Sequence, residues 1–154
     1  MALAGGDKMF KSVVTNKYVR RIDENQLSQY LSADGDCDNN QMVEFRLEQA
    51  SNGSGMCHIK CRGTNKYWQV KSSNMSWITA DADARNENEN SLACTLFDIE
   101  YFGTPPTTTI RLRHRYLKRY ACLYKADDHP FCLCALADNI DKASKDVFVY
   151  SESV

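Results

Sequence analysis

Apolar and polar residues alternate with a period of two in the strongest segments of this chain. Val43, Phe45 and Leu47 alternate with Glu44, Arg46 and Glu48. Cys57, Ile59 and Cys61 alternate with His58 and Lys60, and Ile110 and Leu112 with Arg111 and Arg113. This is the period of a half-buried strand, not of a helix. Turn formers separate the runs: Asp34-Gly35-Asp36, Asn52-Gly53-Ser54-Gly55 and Asp127-Asp128-His129-Pro130. Arg85 to Asn90 is polar and unpatterned and reads as a loop. Glu24 to Tyr30 alone suggests a short helical turn.

The pattern recurs three times. Thr15-Asn16-Lys17-Tyr18 returns unchanged as Thr64-Asn65-Lys66-Tyr67, 49 residues later. Leu117-Lys118-Arg119-Tyr120 is a weaker third copy, 53 residues further on. Seven residues before each Tyr stands a base, Lys11, Lys60 or Arg113, preceded by Phe10, Ile59 or Leu112. A second landmark is Leu31-Ser-Ala-Asp34, then Ile78-Thr-Ala-Asp81, then Leu136-Ala-Asp138 with one residue missing. A third is Phe45-Arg-Leu47, Phe97-Asp-Ile99 and Phe148-Val-Tyr150.

The units are about 8–52, 53–105 and 106–154, with 1–7 as a flexible leader ahead of one domain over 8–154. Three strand-rich units are too few for a propeller, and solenoid repeats carry no such unit. The expected fold is therefore all-β: a β-trefoil, a six-stranded barrel capped by three hairpins. Barrel closure also leaves few bare strand edges.

Length and composition suit one domain with its own core. The net charge of −1 gives no global attraction to nucleic acid or anionic lipid. No apolar run is long enough to span a bilayer. Met1 to Asp7 lacks the basic and apolar segments of a secretory signal. The cysteines number seven, an odd count, so free thiols in a reducing, nucleocytoplasmic setting are expected, most of them packed as small hydrophobes. Asn52-Gly-Ser and Asn74-Met-Ser fit the N-glycosylation pattern by chance in that setting.

One set of segments is more specific. His58-Ile-Lys-Cys-Arg-Gly-Thr-Asn-Lys-Tyr67, Asn74-Met-Ser-Trp-Ile-Thr-Ala80, Ala93-Cys-Thr-Leu-Phe97 and Ser144-Lys-Asp-Val-Phe148 resemble the amaranthin family of plant lectins. The resemblance runs over essentially the whole chain. It implies a β-trefoil that binds galactose/N-acetylgalactosamine-type glycans, with a T-antigen preference in the prototype and a role in plant defence or stress. It implies, too, a family in which such domains are fused to aerolysin-like pore-forming modules. The family's sugar contacts fall on Asn74, Met75, Ser76 and Trp77. Trp offers a flat apolar ring to a sugar's C–H face, and Asn offers hydrogen bonds to its hydroxyls. Trp77, just ahead of Ile78, can equally be a core residue. The chain departs from the prototype at Ser76, where the prototype has an aromatic, and in having one domain where the prototype's site lies between domains of opposite subunits. A homodimer, or a partner domain, would complete it. One principal site is expected, because the nearest equivalents in the other units are Gln29-Tyr30 and Phe131-Cys132.

Other groupings carry weaker chemistry. Arg111 to Arg119 is rich in bases and could meet sulfated or phosphorylated groups, yet alternation accounts for Arg111 and Arg113 as the wet face of a strand. Cys57 with Cys61 has a zinc-like spacing and Cys132-x-Cys134 alternates, but both fall on core faces, so no metal is expected. No phosphate-cradling glycine loop calls for a cofactor, and His58, His114 and His129 stand beside no evident nucleophile, so no enzyme is expected. The alternative to a lectin is a protein-interaction trefoil that has lost sugar binding. A protease inhibitor of trefoil type is disfavoured by the odd cysteine count.

Overall fold

The computed structural model describes residues 7–22, 29–36, 41–71, 76–102, 108–126, 129–137 and 147–152. Twelve strands make up this part: β1 (Asp7–Ser12), β2 (Tyr18–Arg21), β3 (Leu31–Gly35), β4 (Phe45–Gln49), β5 (Cys57–Cys61), β6 (Tyr67–Val70), β7 (Ile78–Ala82), β8 (Phe97–Phe102), β9 (Thr108–His114), β10 (Arg119–Ala126), β11 (His129–Ala137) and β12 (Phe148–Glu152). A 3-10 turn, Gln41–Val43, precedes β4. β1 starts inside the stretch read from sequence as a leader. Most of the expected helical turn at Glu24 to Tyr30 lies outside the described residues. Arg85 to Asn90 is a loop, as its polarity predicts.

Six strands pair antiparallel in a closed ring. β1 pairs β4, β4 pairs β5, β5 pairs β8, β8 pairs β9, β9 pairs β12, and β12 returns to β1. The hairpins β2–β3, β6–β7 and β10–β11 form the cap. The protein is a β-trefoil.

The three-fold pattern is exact at the backbone where the sequence repeats. Each unit turns from its first strand into its hairpin with Asn16, Asn65 or Lys118 in the left-handed region, at φ of 58°, 60° and 56°. The same bond closes each turn: Asn16 N–H donates to Ser12, Asn65 N–H to Cys61 and Lys118 N–H to His114. Asn tolerates this conformation better than most side chains do, which explains two of the three residues. Across each turn the base noted in the sequence faces its Tyr, and its cation lies over the ring: Lys11 over Tyr18, Lys60 over Tyr67, Arg113 over Tyr120.

Inside the barrel Phe45, Phe97 and Phe148 are fully buried opposite Cys61, His114 and Ser12. Trp68, from β6, is fully buried against these rings. Its ring meets Phe10, Phe45 and Phe97 at centroid distances of 5.8, 5.1 and 6.1 Å. Burying rings of this size supplies much of the apolar driving force.

The third hairpin corrects one sequence alignment. The core pairs are Leu31 with Ala33, Ile78 with Ala80, and Leu133 with Ala135, all fully buried. The third landmark is therefore Leu133-Cys134-Ala135-Leu136, with no residue missing and an apolar residue at the position of Asp34 and Asp81. Leu136-Ala-Asp138 imitates the motif but is out of register, and Asp138 lies outside the described residues.

Candidate functional site

The hairpins meet around the pseudo-three-fold axis through one repeated contact. Tyr30 bridges Thr79, Trp77 bridges Cys134, and Cys132 pairs with Ser32. Each link joins one unit to the next, and the third closes the circle. The residues just ahead, Gln29, Ser76 and Phe131, all take positive φ, at 82°, 52° and 50°. The first two carbonyls turn toward the neighbouring hairpin: Ala80 N–H donates to Gln29 and Ala135 N–H to Ser76. Ser76 is thus the pivot at which the chain turns into β7.

Trp77 is only 5% exposed and belongs to a second apolar cluster with Ile22, Cys132 and Cys134. Tyr30 packs tilted against it at 6.0 Å, and Tyr124 stands edge-on at 6.0 Å and 75°. Tyr124 is 44% exposed. The packing role anticipated as an alternative for Trp77 is therefore real. The accessible ring at this junction is Tyr124, which the sequence did not single out. Its signal was available: Tyr124 follows Tyr120 by four residues, as Lys71 follows Tyr67 and Ile22 follows Tyr18. Those three residues pair with the bridging positions in cyclic order. Lys71 lies over the Tyr30 ring at 5.5 Å, Tyr124 meets Trp77, and Ile22 shares its cluster with Cys132. Of these three pairings among the described residues, Trp77 with Tyr124 is the one that joins two rings. Asn74 and Met75 lie outside the described residues, so of the four expected contacts the structure places Ser76 and Trp77.

The remaining chemical groupings resolve into packing. Cys57 and Cys61 lie in the barrel core. Cys132 and Cys134 line the cap cluster while Leu133 and Ala135 face the barrel. Cys57, Cys61, Cys94, Cys122, Cys132 and Cys134 are free thiols. Burial pushes the Cys57 and Cys132 thiols up to about 12, away from reactive thiolate chemistry. Arg111 and Arg113 flank inward-facing Ile110, Leu112 and His114 on β9. Arg111 stacks over Phe102 and Arg115 pairs with Glu89.

Two histidines are fully buried and bonded. His58 contacts the Thr95 hydroxyl at 2.7 Å through Nδ1 and Glu87 at 2.9 Å through Nε2. The Ser51 N–H holds Glu87 well below the usual carboxylate range, helped by His58 and Arg85. The Ser51 hydroxyl donates to Glu87, not to His58, so this group is no nucleophile–base pair. It ties the 85–90 loop to β5. His114 accepts from Leu117 N–H at Nδ1 and donates from Nε2 to the Cys94 carbonyl. Burial pushes its pKa down.

A family model for the agglutinin domain matches residues 7–152. The chain belongs to the agglutinin domain family. This agrees with the amaranthin-like resemblance of the sequence and makes the trefoil a lectin-type fold. The agglutinin domain has a TM-score of 0.73 with a designed three-fold symmetric protein, ThreeFoil, at 10% identity, covering 96% of this chain and 99% of that one. It has a TM-score of 0.71 with an SDF2-like protein from Arabidopsis thaliana, at 11% identity, covering 100% and 97%. A search of curated protein sequences finds no match. Among the described residues no helix is long and apolar enough to cross a membrane.

Proposed function

We propose that this agglutinin domain binds glycans of the galactose/N-acetylgalactosamine type non-covalently at the loop ahead of β7. Asn74, Met75, Ser76 and Trp77 contribute from the second unit, and Tyr124 from the third. The observation that carries the reading is the aromatic pair Trp77–Tyr124, present at one of three otherwise equivalent hairpin junctions. Folding alone does not require it, since Tyr30 with Lys71 and Cys132 with Ile22 serve at the other two. The roles divide by exposure. Buried Trp77 fixes the junction, Tyr124 presents a ring to the C–H face of a sugar, and Asn74 supplies hydrogen bonds to hydroxyls.

The departure at Ser76 favours completion of the site by a second copy of the chain, as isologous pairing permits. The free thiols among the described residues suit a reducing, nucleocytoplasmic setting, and a defence or stress role there follows from the family resemblance. Fusion to, or action beside, an aerolysin-like module belongs to the same resemblance. A glycan array with the wild-type chain and Tyr124→Ala tests the site. Binding of terminal galactose or N-acetylgalactosamine glycans, weakened at least tenfold in the variant, is the expected result. An array with no response favours a protein-interaction module, and an unchanged variant removes Tyr124 from the site. The solution mass tests the dimer.

A further inference from the structure

A cavity of about 260 Å³ opens beside the barrel, lined by Asp7, Arg46, Lys60, Arg62 and Asn65. It shares no residue with the Trp77 junction. Asp7, Arg46 and Lys60 are neighbours across β1, β4 and β5, on the face opposite the core residues Phe45 and Ile59. Arg62 and Asn65 come from the turn that follows β5, where Asn65 holds positive φ.

The acid in this pocket is unusual. The Asp7 side chain is 5% exposed. Its Oδ2 accepts from Arg62 Nη1 at 2.6 Å. Its Oδ1 is buried and accepts no hydrogen bond, although Arg46 Nε lies 3.4 Å away. A buried carboxylate oxygen without a donor is costly, and native proteins leave few such groups without a reason. Around it stand three cations: Arg46 and Arg62 face Asp7 itself, Arg62 is also 3.4 Å from Glu44, and Lys60 is 4.0 Å from Glu48. The cavity thus brings Arg, Lys and Asn donors together beside a buried carboxylate.

Three-fold symmetry does not impose this arrangement. At the two equivalent places Asp7 is replaced by Met56 and Thr109, and Arg46 by Asp98 and Val149. The barrel closes equally well there, so the charged set at the first place is not a condition of folding.

We propose that this cavity binds an acidic sugar, a pyranose carrying a carboxylate or sulfate beside its hydroxyls. The acidic group takes charge-assisted hydrogen bonds from Arg46 and Lys60. A neighbouring hydroxyl donates to the Asp7 carboxylate at the cavity wall and accepts from Asn65 or Arg62, the dual role a hydroxyl can fill. A bare inorganic anion has no proton for Asp7 and is repelled by it. A neutral sugar can meet Asp7 but brings no charge to Arg46 and Lys60. The volume is just under the roughly 300 Å³ at which drug-sized pockets begin, which suits one sugar ring. The site stands apart from the proposed galactose site and does not depend on it.

The test is NMR titration of the isotope-labelled chain with methyl glucuronide, glucose 6-sulfate, methyl glucoside and sodium sulfate. Saturable shifts at the Arg46, Lys60 and Asn65 amides with an acidic sugar are expected, at least tenfold tighter than with the neutral glucoside or with sulfate. Comparing glucuronide with glucose 6-sulfate shows which acid is preferred. Lys60→Met keeps the aliphatic stem over Tyr67 and should weaken acidic-sugar binding about tenfold with an unchanged urea midpoint. Asp7→Asn should narrow the gap between acidic sugar and sulfate. Equal binding of the glucoside, equal binding of sulfate, or an unaffected Lys60→Met variant overturns the proposal. Tyr124→Ala should leave the glucuronide response intact. Loss of that response in Tyr124→Ala would overturn the separation of the two sites.

Discussion

In the barrel the equivalent positions of the three units hold Phe45, Phe97 and Phe148, and all are fully buried. In the hairpin cap they hold Tyr30, Trp77 and Cys132, one of them an ordinary small thiol. The contrast follows from what each set must fill. The barrel residues point into one shared space, packed at near-crystalline density, where a change in one ring alters the fit of all. The cap residues share one small cluster, but each also meets a partner of its own, Lys71, Tyr124 or Ile22, so the chemistry at one junction can differ from that at the others. Symmetry persists where packing is common to the three units, and chemistry diverges where each junction has its own surroundings.

The strongest way to break this contrast is at the barrel. Phe45→Ala and Phe97→Ala should each cost about 3–5 kcal/mol, within roughly 1 kcal/mol of each other. Urea unfolding measures both, and very unequal costs would show that the barrel copies are not equivalent. At the cap, Trp77→Ala should cost about 3 kcal/mol, because the ring is buried, while Cys132→Ala should cost roughly 1 kcal/mol. Tyr124→Ala should stay within about 1 kcal/mol of wild type on the same scale. The Trp77 variant alone therefore cannot separate folding from recognition, and the Tyr124 variant can.

The equivalence of Ser12, Cys61 and His114 opposite the three Phe rings can be sharpened with pH. His114 has its folded-state pKa depressed by burial below the ordinary value of 6.5. The unfolded chain therefore takes up a proton at this site before the folded one does. The contribution to stability is full above pH 6.5 and falls as pH drops below it. His114→Gln should flatten the pH dependence of the urea midpoint between neutral and mildly acid solution. An unchanged profile would locate that dependence elsewhere.

Smaller effects test the turns. Lys118 holds the left-handed conformation that Asn holds in the other two units, so Lys118→Asn or Lys118→Gly should stabilise by roughly 0.5–1 kcal/mol. A loss of stability would mean that the Lys side chain contributes more than the backbone strain removes. The exposed pair Lys17–Asp36, whose counterpart in the second unit is Lys66–Asp83, should contribute under about 0.5 kcal/mol and vanish at high salt.

The repeat was legible because its landmarks sit at positions with strict geometric demands. Tyr18, Tyr67 and Tyr120 each face a base across a tight turn, and a fixed spacing of seven residues is what such a turn produces. The core Phe positions were legible through alternation. The third hairpin was misaligned because Leu136-Ala137-Asp138 copies the residue types of the motif, while only burial shows that Leu133 and Ala135 face the barrel. Trp77 was found by resemblance, but a local pattern cannot say whether a ring before a strand lies on the surface or between hairpins. Tyr124 and Asp7 were missed for one reason. Their partners, Trp77 and Arg62, are 47 and 55 residues away in the chain.

What the sequence by itself determined is the three-fold trefoil, since period-two alternation, turn residues and repeat spacing are local properties of the chain. What only the tertiary structure decided is how the copies differ in use: which junction is doubly aromatic, which ring is buried and which is open, and where a buried carboxylate stands among three cations. Those properties arise when barrel closure brings one unit against the next. Side chains far apart in sequence then share one surface, and their spacing along the chain carries no record of that meeting.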